Sequence, residues 1–274
     1  MNDYRIAVVE LPASKRNLDD AVIQVDRCLG SLTSFSGATL AVLPENFVCC
    51  SRNDADYEVL AGQWQKAVNA LACLARRHGV YLVAGTLPEP DDGKRYITTT
   101  VFDPTGNLIA KYRKIHLFRA VVNGCSYDEG QFYSHGLETA VFNMVGVRVG
   151  LAICFDLRFP NVFSELRAKG ADVIVVPAAF TEKTGQKHWH VLLRARAVEN
   201  QVYVVGAGLN GSSPDGYECY GHSLIVDPDG KVVTETLEKN DFQVIEHKID
   251  LELKEKIRSS MPLTAKNEEY VELK

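Results

Sequence analysis

Basic residues are not in excess in this sequence, and they form no block anywhere along it. The 274 residues include 30 Lys and Arg against 35 Asp and Glu, which gives a formal charge of −5 and a pI near 5.8. Proteins that follow nucleic-acid phosphates normally need clustered Lys and Arg. We therefore expect no nucleic-acid partner.

Long hydrophobic runs are absent too. The apolar stretches are strand-sized, and none approaches the roughly 20 residues that a membrane-spanning helix needs. Residues 1–5 lead directly into a strand-like run, without the basic and apolar regions of a signal peptide. The sequence therefore predicts no membrane partner.

Cysteine is present, but in a pattern that argues against disulfides. The seven cysteines are odd in number and none has a Cys-x-x-Cys spacing; they are residues 28, 49, 50, 73, 125, 154 and 219. Free thiols of this kind are typical of a reducing compartment. We expect a cytoplasmic protein.

Short β-branched runs alternate with helical patterns along the chain. Six runs are predicted strands, at residues 5–11, 39–43, 80–86, 147–153, 172–176 and 202–207. Between the second and third, Leu60, Trp64, Val68 and Leu71 recur at helical spacing, and Gly79 predicts the end of that helix. This rhythm predicts an α/β fold. Because nothing resembles a linker, we expect a single domain over residues 1–274.

An internal repeat sharpens the fold prediction. Residues 40–47 and 174–180 are each a strand ending in Pro and a nearby Phe, and each is followed by a helix, a strand and a hairpin. The hairpins share an Asp-Pro-x-Gly turn, at residues 103–106 and 227–230. Two similar half-sheets predict a four-layer α-β-β-α sandwich with two packed sheets. Residues 250–274 carry a short helix over 250–258 and then a polar extension, either a C-terminal arm or a frayed terminus.

Cys154 is the first candidate for chemistry. It stands at the end of the apolar run 147–153 and at the start of a turn, Cys154-Phe155-Asp156-Leu157-Arg158. A nucleophile belongs at the carboxyl end of a strand, where a turn exposes it beside backbone N–H donors. Position alone leaves a structural cysteine equally possible.

Glu45 and Lys114 supply what a cysteine nucleophile needs. Glu45 follows a buried strand and Pro44, where burial favours a carboxylate that takes a proton and later returns it. Lys114 lies among apolar and aromatic residues, where an ammonium would favour the thiolate and stabilise an oxyanion together with the Phe155 N–H. Taken separately, a helix-cap role for Glu45 and a surface role for Lys114 are as probable as catalysis.

Together these residues and their neighbours resemble the nitrilase superfamily of carbon-nitrogen hydrolases, in its Nit amidase branch. The segments that carry the resemblance are 111–118, 154–160, 188–197 and 221–223, within a match from about residue 6 to about residue 270. The resemblance implies Glu45, Lys114 and Cys154 as catalytic residues, and Glu129 as a second acid that orients Lys114. It also implies the four-layer sandwich, no cofactor, and a homodimer or higher homo-oligomer.

This chain departs from the family pattern at several positions. Members of the family often have an acid where this chain has His190 and another where it has Asn161. They usually have Ser or Ala where it has Gly130, and often Asp in place of Arg119, at the start of the loop 119–136. We expect these changes to cluster around the pocket and its lid, and so to affect the substrate more than the mechanism.

Other readings of the same residues remain open. His188, His190 and His222 suggest a metal, but His188-Trp189-His190 is predicted to begin a helix, where positions i and i+2 diverge, so we expect no metal. A protease dyad of Cys154 with one of these histidines leaves the acid and the lysine unexplained. Cys49, Cys50 and Cys125 are better explained by packing than as pocket residues.

Two residues are candidates for holding a substrate carboxylate. Arg158 and Thr181 follow the strands that lead to Cys154 and Phe180, although a structural ion pair explains Arg158 equally well. We therefore predict an amidase that hydrolyses a small carboxylate-bearing amide through a thioacyl-enzyme and releases ammonia. The alternatives are an N-carbamoyl amide hydrolase, a nitrilase, or a non-catalytic binding or regulatory member of the fold.

Overall fold

The structure, a computed structural model, describes residues 3–122, 124–237 and 241–263. The elements of the first half are β1 (Tyr4–Pro12), α1 (Leu18–Gly30), β2 (Ala38–Val42), α2 (Asp54–Ala61), α3 (Trp64–His78), β3 (Tyr81–Val83), β4 (Leu87–Asp91), β5 (Lys94–Phe102), β6 (Leu108–Arg113), β7 (Arg119–Val122) and β8 (Cys125–Asp128). Those of the second half are β9 (Ala140–Met144), β10 (Val147–Leu151), α4 (Pro160–Ala168), β11 (Val173–Ala178), α5 (Glu182–Asn200), β12 (Tyr203–Ser212), β13 (Glu218–Tyr220), β14 (Leu224–Val226), β15 (Val232–Glu235), β16 (Gln243–Lys248) and α6 (Leu251–Ser260). The chain combines these helices and strands in one mixed fold, so the predicted α/β class is confirmed.

Most strands belong to one hydrogen-bonded sheet with the order β4-β5-β3-β2-β1-β12-β11-β10-β9. The strands β1, β2 and β3 pair in parallel, as do β10, β11 and β12, and β1 joins the two groups through a short parallel pairing with β12. Strands β7 and β8 form a separate hairpin. Because neighbouring strands run in parallel, their carboxyl ends share an edge.

The internal repeat predicted from the sequence is present in the topology. In the first half β3 pairs antiparallel with β5, and β5 with β6; in the second half β12 pairs antiparallel with β14, and β14 with β15. Both Asp-Pro-x-Gly turns close on a backbone hydrogen bond, from Gly106 N to Asp103 O (2.9 Å) and from Gly230 N to Asp227 O (3.0 Å). Both glycines have positive φ, +88° and +83°, which explains why the turn uses Gly there.

Two apolar cores lie on opposite sides of the first half-sheet. Ile6 and Val8 of β1 share a core with Met144 and Val149 of the second half. Val9 and Leu11, on the other face of β1, pack instead with residues of α1 and α3. The alternation of side chains along a strand places consecutive residues in different cores, so β1 is buried along nearly its whole length.

The structure corrects two details of the helix predictions. The helical pattern containing Leu60 is divided, because α2 ends at Ala61 and α3 begins at Trp64. His188 and His190 do not begin a helix; they lie inside α5, which begins at Glu182 after the N-cap Thr181.

The C-terminal region is described only in part. The predicted helix is α6, capped by Asp250, and it is attached to the body by Lys254 and Arg258, which both contact Asp172. Residues 264–274 of the predicted arm lie outside the described residues, so the arm and the single-domain boundary stay predictions. Within the described part of the chain, no helix is both long and apolar enough to cross a membrane.

Candidate active site

Cys154 lies just beyond the carboxyl end of β10, where it begins a 3-10 turn over Cys154–Arg158. Its φ is +43°, in the left-handed region that residues with a Cβ rarely adopt. Strained backbone of this kind persists where the surrounding structure holds it, and it is concentrated at functional sites. The side chain is buried at the base of a cavity.

Lys114 follows the end of β6 and is almost completely buried, with 1 % of its surface exposed. Its backbone N–H donates to Ile97 O (2.8 Å), and its carbonyl accepts from Gly136 N (2.8 Å). These two bonds direct the side chain inward, where Nζ donates to Glu45 Oε1 (2.9 Å) and lies 3.0 and 3.1 Å from the two carboxylate oxygens of Glu129. The lysine is therefore held between two acids.

Glu45 and Glu129 reach the lysine from different parts of the fold. Glu45 follows β2, and its second oxygen, Oε2, accepts from the backbone N–H of Ala179 beyond β11 (2.9 Å). Glu129 follows the β7–β8 hairpin, and its Oε2 accepts from Phe118 N (2.7 Å). Each carboxylate thus has a fixed orientation, because a backbone N–H binds it in addition to Lys114, at the other oxygen in Glu45 and at Oε2 in Glu129.

The charges of the site act on one another. Burial alone would lower the pKa of Lys114, but the carboxylates of Glu129 and Glu45 outweigh it and raise the pKa well above its ordinary value. Burial raises the pKa of Glu129, against the opposing effect of Lys114. An ammonium between two acids is therefore the stable resting state of Lys114.

The resting state of Cys154 depends on burial and on the two neighbouring charges. Lys114 does favour the thiolate, as predicted, but burial and then the charge of Glu45, which also hydrogen-bonds the thiol, raise the pKa of Cys154 well above its ordinary value of 9.0. The thiol therefore keeps its proton at neutral pH. A nucleophile in this condition needs a base beside it.

Alkylation of Cys154 should consequently depend steeply on pH. Because the thiolate is the reacting form and the pKa is raised, the rate should keep rising about tenfold per pH unit up to pH 9.0 and beyond. Mass spectrometry of iodoacetamide-treated protein measures this rate, with the exposed Cys73 in the same chain as the internal reference. A rate for Cys154 that is already independent of pH at neutrality would contradict a protonated resting thiol.

Asp156 is a functional residue that the sequence reasoning missed. It is fully buried, and its Oδ2 accepts from Ile153 N (2.9 Å) and from Tyr112 Oη (2.7 Å). Its Oδ1 accepts from His116 N (2.9 Å). One carboxylate thus joins the turn of Cys154 to the segment of Lys114. An acid two residues after the nucleophile, at the start of a turn, was the only local signal.

The cavity above Cys154 has a volume of about 260 Å³. Its walls include the predicted substrate residues Phe155, Arg158 and Thr181, together with a ring of tyrosines, Tyr57, Tyr127, Tyr133 and Tyr217. Cys49 and Cys50 both pack in the second core, as predicted, and Cys50 in addition lines the cavity. The Cys125 side chain lies outside the described part of the structure, so its packing stays a prediction.

The sequence left two roles open for Arg158, substrate binding and a structural ion pair, and its contacts in the structure bear on that choice. Its guanidinium lies 5.1 Å from the centre of the Phe180 ring and 5.7 Å from that of Phe155, and Nη1 is 3.2 Å from His188 Nδ1. No carboxylate among the described residues lies within ion-pair distance of it, so the alternative of a structural ion pair is not found there. Burial lowers the pKa of Arg158 from its ordinary value.

None of the four positions at which the chain departs from the family pattern lines the cavity. Arg119 and Gly130 are exposed and lie in the loop 119–136, which lines the cavity through residues 126–129 and 131–133. Asn161 is exposed on α4, and His190 lies on α5. The expected grouping around the pocket and its lid therefore fits Arg119 and Gly130 but not Asn161 and His190.

The three histidines fall into two groups, and the sequence did not predict which residues they contact. His188 contacts Arg158, whereas His190 and His222 both lie against the carboxylate of Glu235. The helix separates His188 from His190, as predicted. Glu235, which lies in no recognised sequence motif, is the third member of the group that contains His190 and His222.

Comparisons with known proteins agree on one family. The family model described as carbon-nitrogen hydrolase matches residues 5–259. The chain is 35% identical to "Omega-amidase NIT2" of Danio rerio over 268 residues, which cover 96% of this chain and 94% of that protein. It is 34% identical to "Deaminated glutathione amidase" of a Synechocystis strain over 272 residues, covering 96% and 97%.

A solved structure gives the same result for the fold. The crystal structure of Saccharomyces cerevisiae Nit3, described as a member of branch 10 of the nitrilase superfamily, superposes with a TM-score of 0.84. The two sequences are 32% identical, and the superposition covers 97% of each chain. The likeness therefore extends over the whole fold, including the segments that carry Glu45, Lys114 and Cys154.

Proposed function

The chain belongs to the carbon-nitrogen hydrolase family and is an amidase, and we propose that it hydrolyses a small carboxylate-bearing amide through a thioacyl intermediate on Cys154. The observation that carries the proposal is the contact of buried Lys114 with Glu45, beside a cysteine thiol at a strained turn. Glu45 and Cys154 line one cavity and buried Lys114 contacts Glu45, so three chemically different groups lie together, and each has a part in acyl transfer.

The first half of the proposed reaction forms the acyl-enzyme. Glu45 takes the proton of the Cys154 thiol as sulfur attacks the amide carbonyl carbon, and the carbonyl π electrons move to oxygen. Lys114 and the backbone N–H of Phe155 stabilise that oxyanion. The carbon-nitrogen bond then breaks, the nitrogen receives the proton held by Glu45, and ammonia leaves a thioester on Cys154.

The second half returns the enzyme to its starting state. Glu45, again ionised, takes a proton from water as the water oxygen attacks the thioester carbon. The carbon-sulfur bond breaks, the carboxylic acid leaves, and the sulfur regains the proton from Glu45. Glu129 acts as a positioning residue in this scheme, since its contact with Lys114 keeps the ammonium charged and in place. No cofactor is needed.

Arg158 is the proposed binding group for the substrate carboxylate. It lines the cavity that opens onto Cys154, and the aromatic rings of Phe155 and Phe180 flank it. A guanidinium partly withdrawn from water and without a carboxylate partner nearby is well suited to bind one from a ligand. Thr181, at the N-terminus of α5, offers a hydroxyl on the same wall.

Substrate selectivity tests this assignment. Ammonia release should be measured on pairs of amides of equal length, one ending in a carboxylate and one in a neutral group. In Arg158→Met, KM for the carboxylate member should rise about 10- to 100-fold, the effect of losing one charge-assisted hydrogen bond, while the neutral member changes little.

Arg52→Met is the matched control, since Arg52 also lines the cavity but donates to Gly216 O (2.8 Å). Arg52→Met should keep the preference for the amide that ends in a carboxylate over the neutral amide. An equal loss of activity on both members of the pair in Arg158→Met would contradict carboxylate binding by Arg158.

Nitriles and N-carbamoyl compounds belong in the same panel of substrates, because they pass through the same thioacyl chemistry. Silence over the whole panel would favour a binding protein that lacks turnover.

We also propose a finer description of the fold, the four-layer α-β-β-α sandwich. It is supported by the two cores on opposite faces of β1, one shared with the second half-sheet and one with α1 and α3. The hydrogen bond from Tyr4 Oη to Val145 O (2.8 Å) also joins the two halves. A homodimer or higher homo-oligomer and a cytoplasmic location remain predictions from the sequence.

A further inference from the structure

Three side chains from distant parts of the chain meet outside the active site. His190 lies on α5, His222 lies between β13 and β14, and Glu235 ends β15. Glu235 Oε1 is 2.8 Å from His190 Nε2 and 2.7 Å from His222 Nδ1. The three atoms that could bind a cation all lie within 4.8 Å of one another.

We propose that His190, His222 and Glu235 form a binding site for a divalent transition-metal ion of the zinc type. Two imidazole nitrogens and one carboxylate oxygen are a ligand set that zinc accepts, with a fourth position left for water. At metal-ligand distances of about 2.0–2.1 Å, tetrahedral ligand atoms lie roughly 3.4 Å apart. Two of the three separations are 2.8 and 2.7 Å and none exceeds 4.8 Å, so small side-chain rotations would suffice.

Buried hydrogen bonds hold the backbones that carry these ligands. Trp189, next to His190, donates its indole N–H to His222 O (2.7 Å) and so connects two of the three ligand segments directly. Ser223 N (2.7 Å) and Thr236 Oγ1 (2.6 Å), which follow the other two ligands, both donate to Oε2 of the fully buried Glu10. A metal site needs this kind of support, because outer hydrogen bonds orient the ligands.

The backbone of His222 is itself unusual. Its φ is +53°, in the left-handed region that few residues with a Cβ adopt, and the Tyr220 ring stacks on its imidazole at 4.4 Å. The strained backbone directs Nδ1 toward Glu235 and the stacking fixes the plane of the ring. The bonds through Trp189 and Glu10 keep this conformation in place.

The charge and access of the group also suit a cation. Within the described ranges, no lysine or arginine forms an ion pair with Glu235, and its ion-pair partners are His190 and His222. The three side chains are partly exposed, by 35%, 27% and 23% for His190, His222 and Glu235, so an ion can enter from solvent. His190 is decisive, because it supplies an imidazole where members of the family often have an acid.

The site would act as a structural clamp. An ion bound there would join α5 to the β14–β15 hairpin, and α5 also carries Trp189, whose ring packs 4.9 Å from that of Phe180 on the cavity wall. Binding to the folded chain only would raise its melting temperature, and the rise would grow with the logarithm of the excess of ion over Kd. At a hundredfold excess the rise should be about 5 °C or more for a chain of this size.

Direct metal binding tests the proposal without reference to activity. The purified chain, first stripped with a chelator, is dialysed against Zn²⁺ and its metal content measured, and a parallel sample with Co²⁺ is examined by visible absorption. A Cys73→Ser, Cys154→Ser background removes the exposed and the active-site thiol as competing ligands. We expect one ion per chain, a tetrahedral cobalt spectrum without thiolate bands, and a higher melting temperature.

Single variants assign the binding to these residues. His190→Ala and Glu235→Gln should each weaken zinc binding at least about tenfold and abolish the rise in melting temperature. His78→Ala is the matched control, because His78 also contacts one carboxylate, that of Asp26 (2.7 Å), but has no second imidazole there. It should bind zinc as the parent does. Two results would overturn the proposal: no bound ion in the parent, or zinc binding in both His190→Ala and Glu235→Gln that is as tight as in the parent. Either result would mean that the three side chains form only a hydrogen-bonded group.

Discussion

Replacing Cys154 by alanine is expected to reduce amide hydrolysis on the order of 10⁴-fold or more, because the acyl-enzyme can no longer form. The side chain is small and buried, and alanine removes only the sulfur, so the fold should be retained. Ammonia release measures the loss. A thermal unfolding curve close to that of the parent would show that the loss is chemical.

Cys73→Ala is the control for this variant. Cys73 is exposed on α3 and remote from the cavity, so its replacement should leave the rate unchanged. The parent offers a second readout, because rapid quenching during turnover should trap a thioester on Cys154 whose added mass identifies the acyl group. Residual activity in Cys154→Ala within tenfold of the parent would contradict covalent catalysis at this residue.

Glu45→Gln is expected to lower kcat by about 10²- to 10⁴-fold, the usual contribution of a general base. Glutamine has nearly the same shape and can keep the hydrogen bond from Ala179 N, but it cannot accept the thiol proton. The same substitution removes the charge that raises the pKa of Cys154. Cys154 should therefore be alkylated faster at neutral pH in Glu45→Gln while hydrolysis is slower.

Opposite changes in the two rates, in a variant whose fold is retained, separate a base from a merely structural acid. A loss of structure would also slow hydrolysis and would expose the thiol, which speeds its alkylation, so a thermal unfolding curve close to that of the parent must accompany the two rates. Glu246→Gln is the comparison, since Glu246 is another partly buried acid that accepts from Thr33 N (2.9 Å) but lies far from Cys154 along the sheet. Glu246→Gln should change neither the rate of amide hydrolysis nor the rate of Cys154 alkylation. A fully active Glu45→Gln would eliminate Glu45 as the base.

The electrostatics explain why a base is needed at all. In many cysteine enzymes a neighbouring cation lowers the thiol pKa until the thiolate is present at rest. Here the ammonium of Lys114 is already balanced by two acids, Glu45 and Glu129, so little of its field remains for Cys154. In the proposed mechanism the proton therefore leaves in the same step in which sulfur attacks. In that mechanism Lys114 is then available to stabilise the oxyanion, where its charge is most effective.

Much of the fold could be predicted from local patterns. β-Branched runs, the helix ending at Gly79 and the repeated Asp-Pro-x-Gly turns depend on residues close in sequence, and the structure confirms each. The division of α2 from α3 was not predicted, because apolar spacing continues across the break at Gly62. Periodicity records which face is buried, and it does not record where a helix stops.

The candidate catalytic residues were also accessible from the sequence, since each follows a strand and all carry groups that acyl transfer requires. Asp156 was not, because its function lies in contacts with Tyr112 and His116, about 40 residues earlier in the chain. Its local signal, an acid in the first turn after the cysteine, is commonplace. A positioning residue is recognised by what it joins, and the joining occurs only in the folded chain.

The sequence by itself determined the α/β class, the repeated half-sheets and the choice of Glu45, Lys114 and Cys154, because these depend on local propensity and on side-chain chemistry. Only the tertiary structure decided that Lys114 lies between two acids, that Arg158 lines the cavity with no carboxylate partner among the described residues, and that Glu235 brings His190 and His222 together. The physical reason is that charge balance, burial and metal-ligand geometry are properties of distances between segments. Those distances are set by strand register and packing, which no single segment encodes.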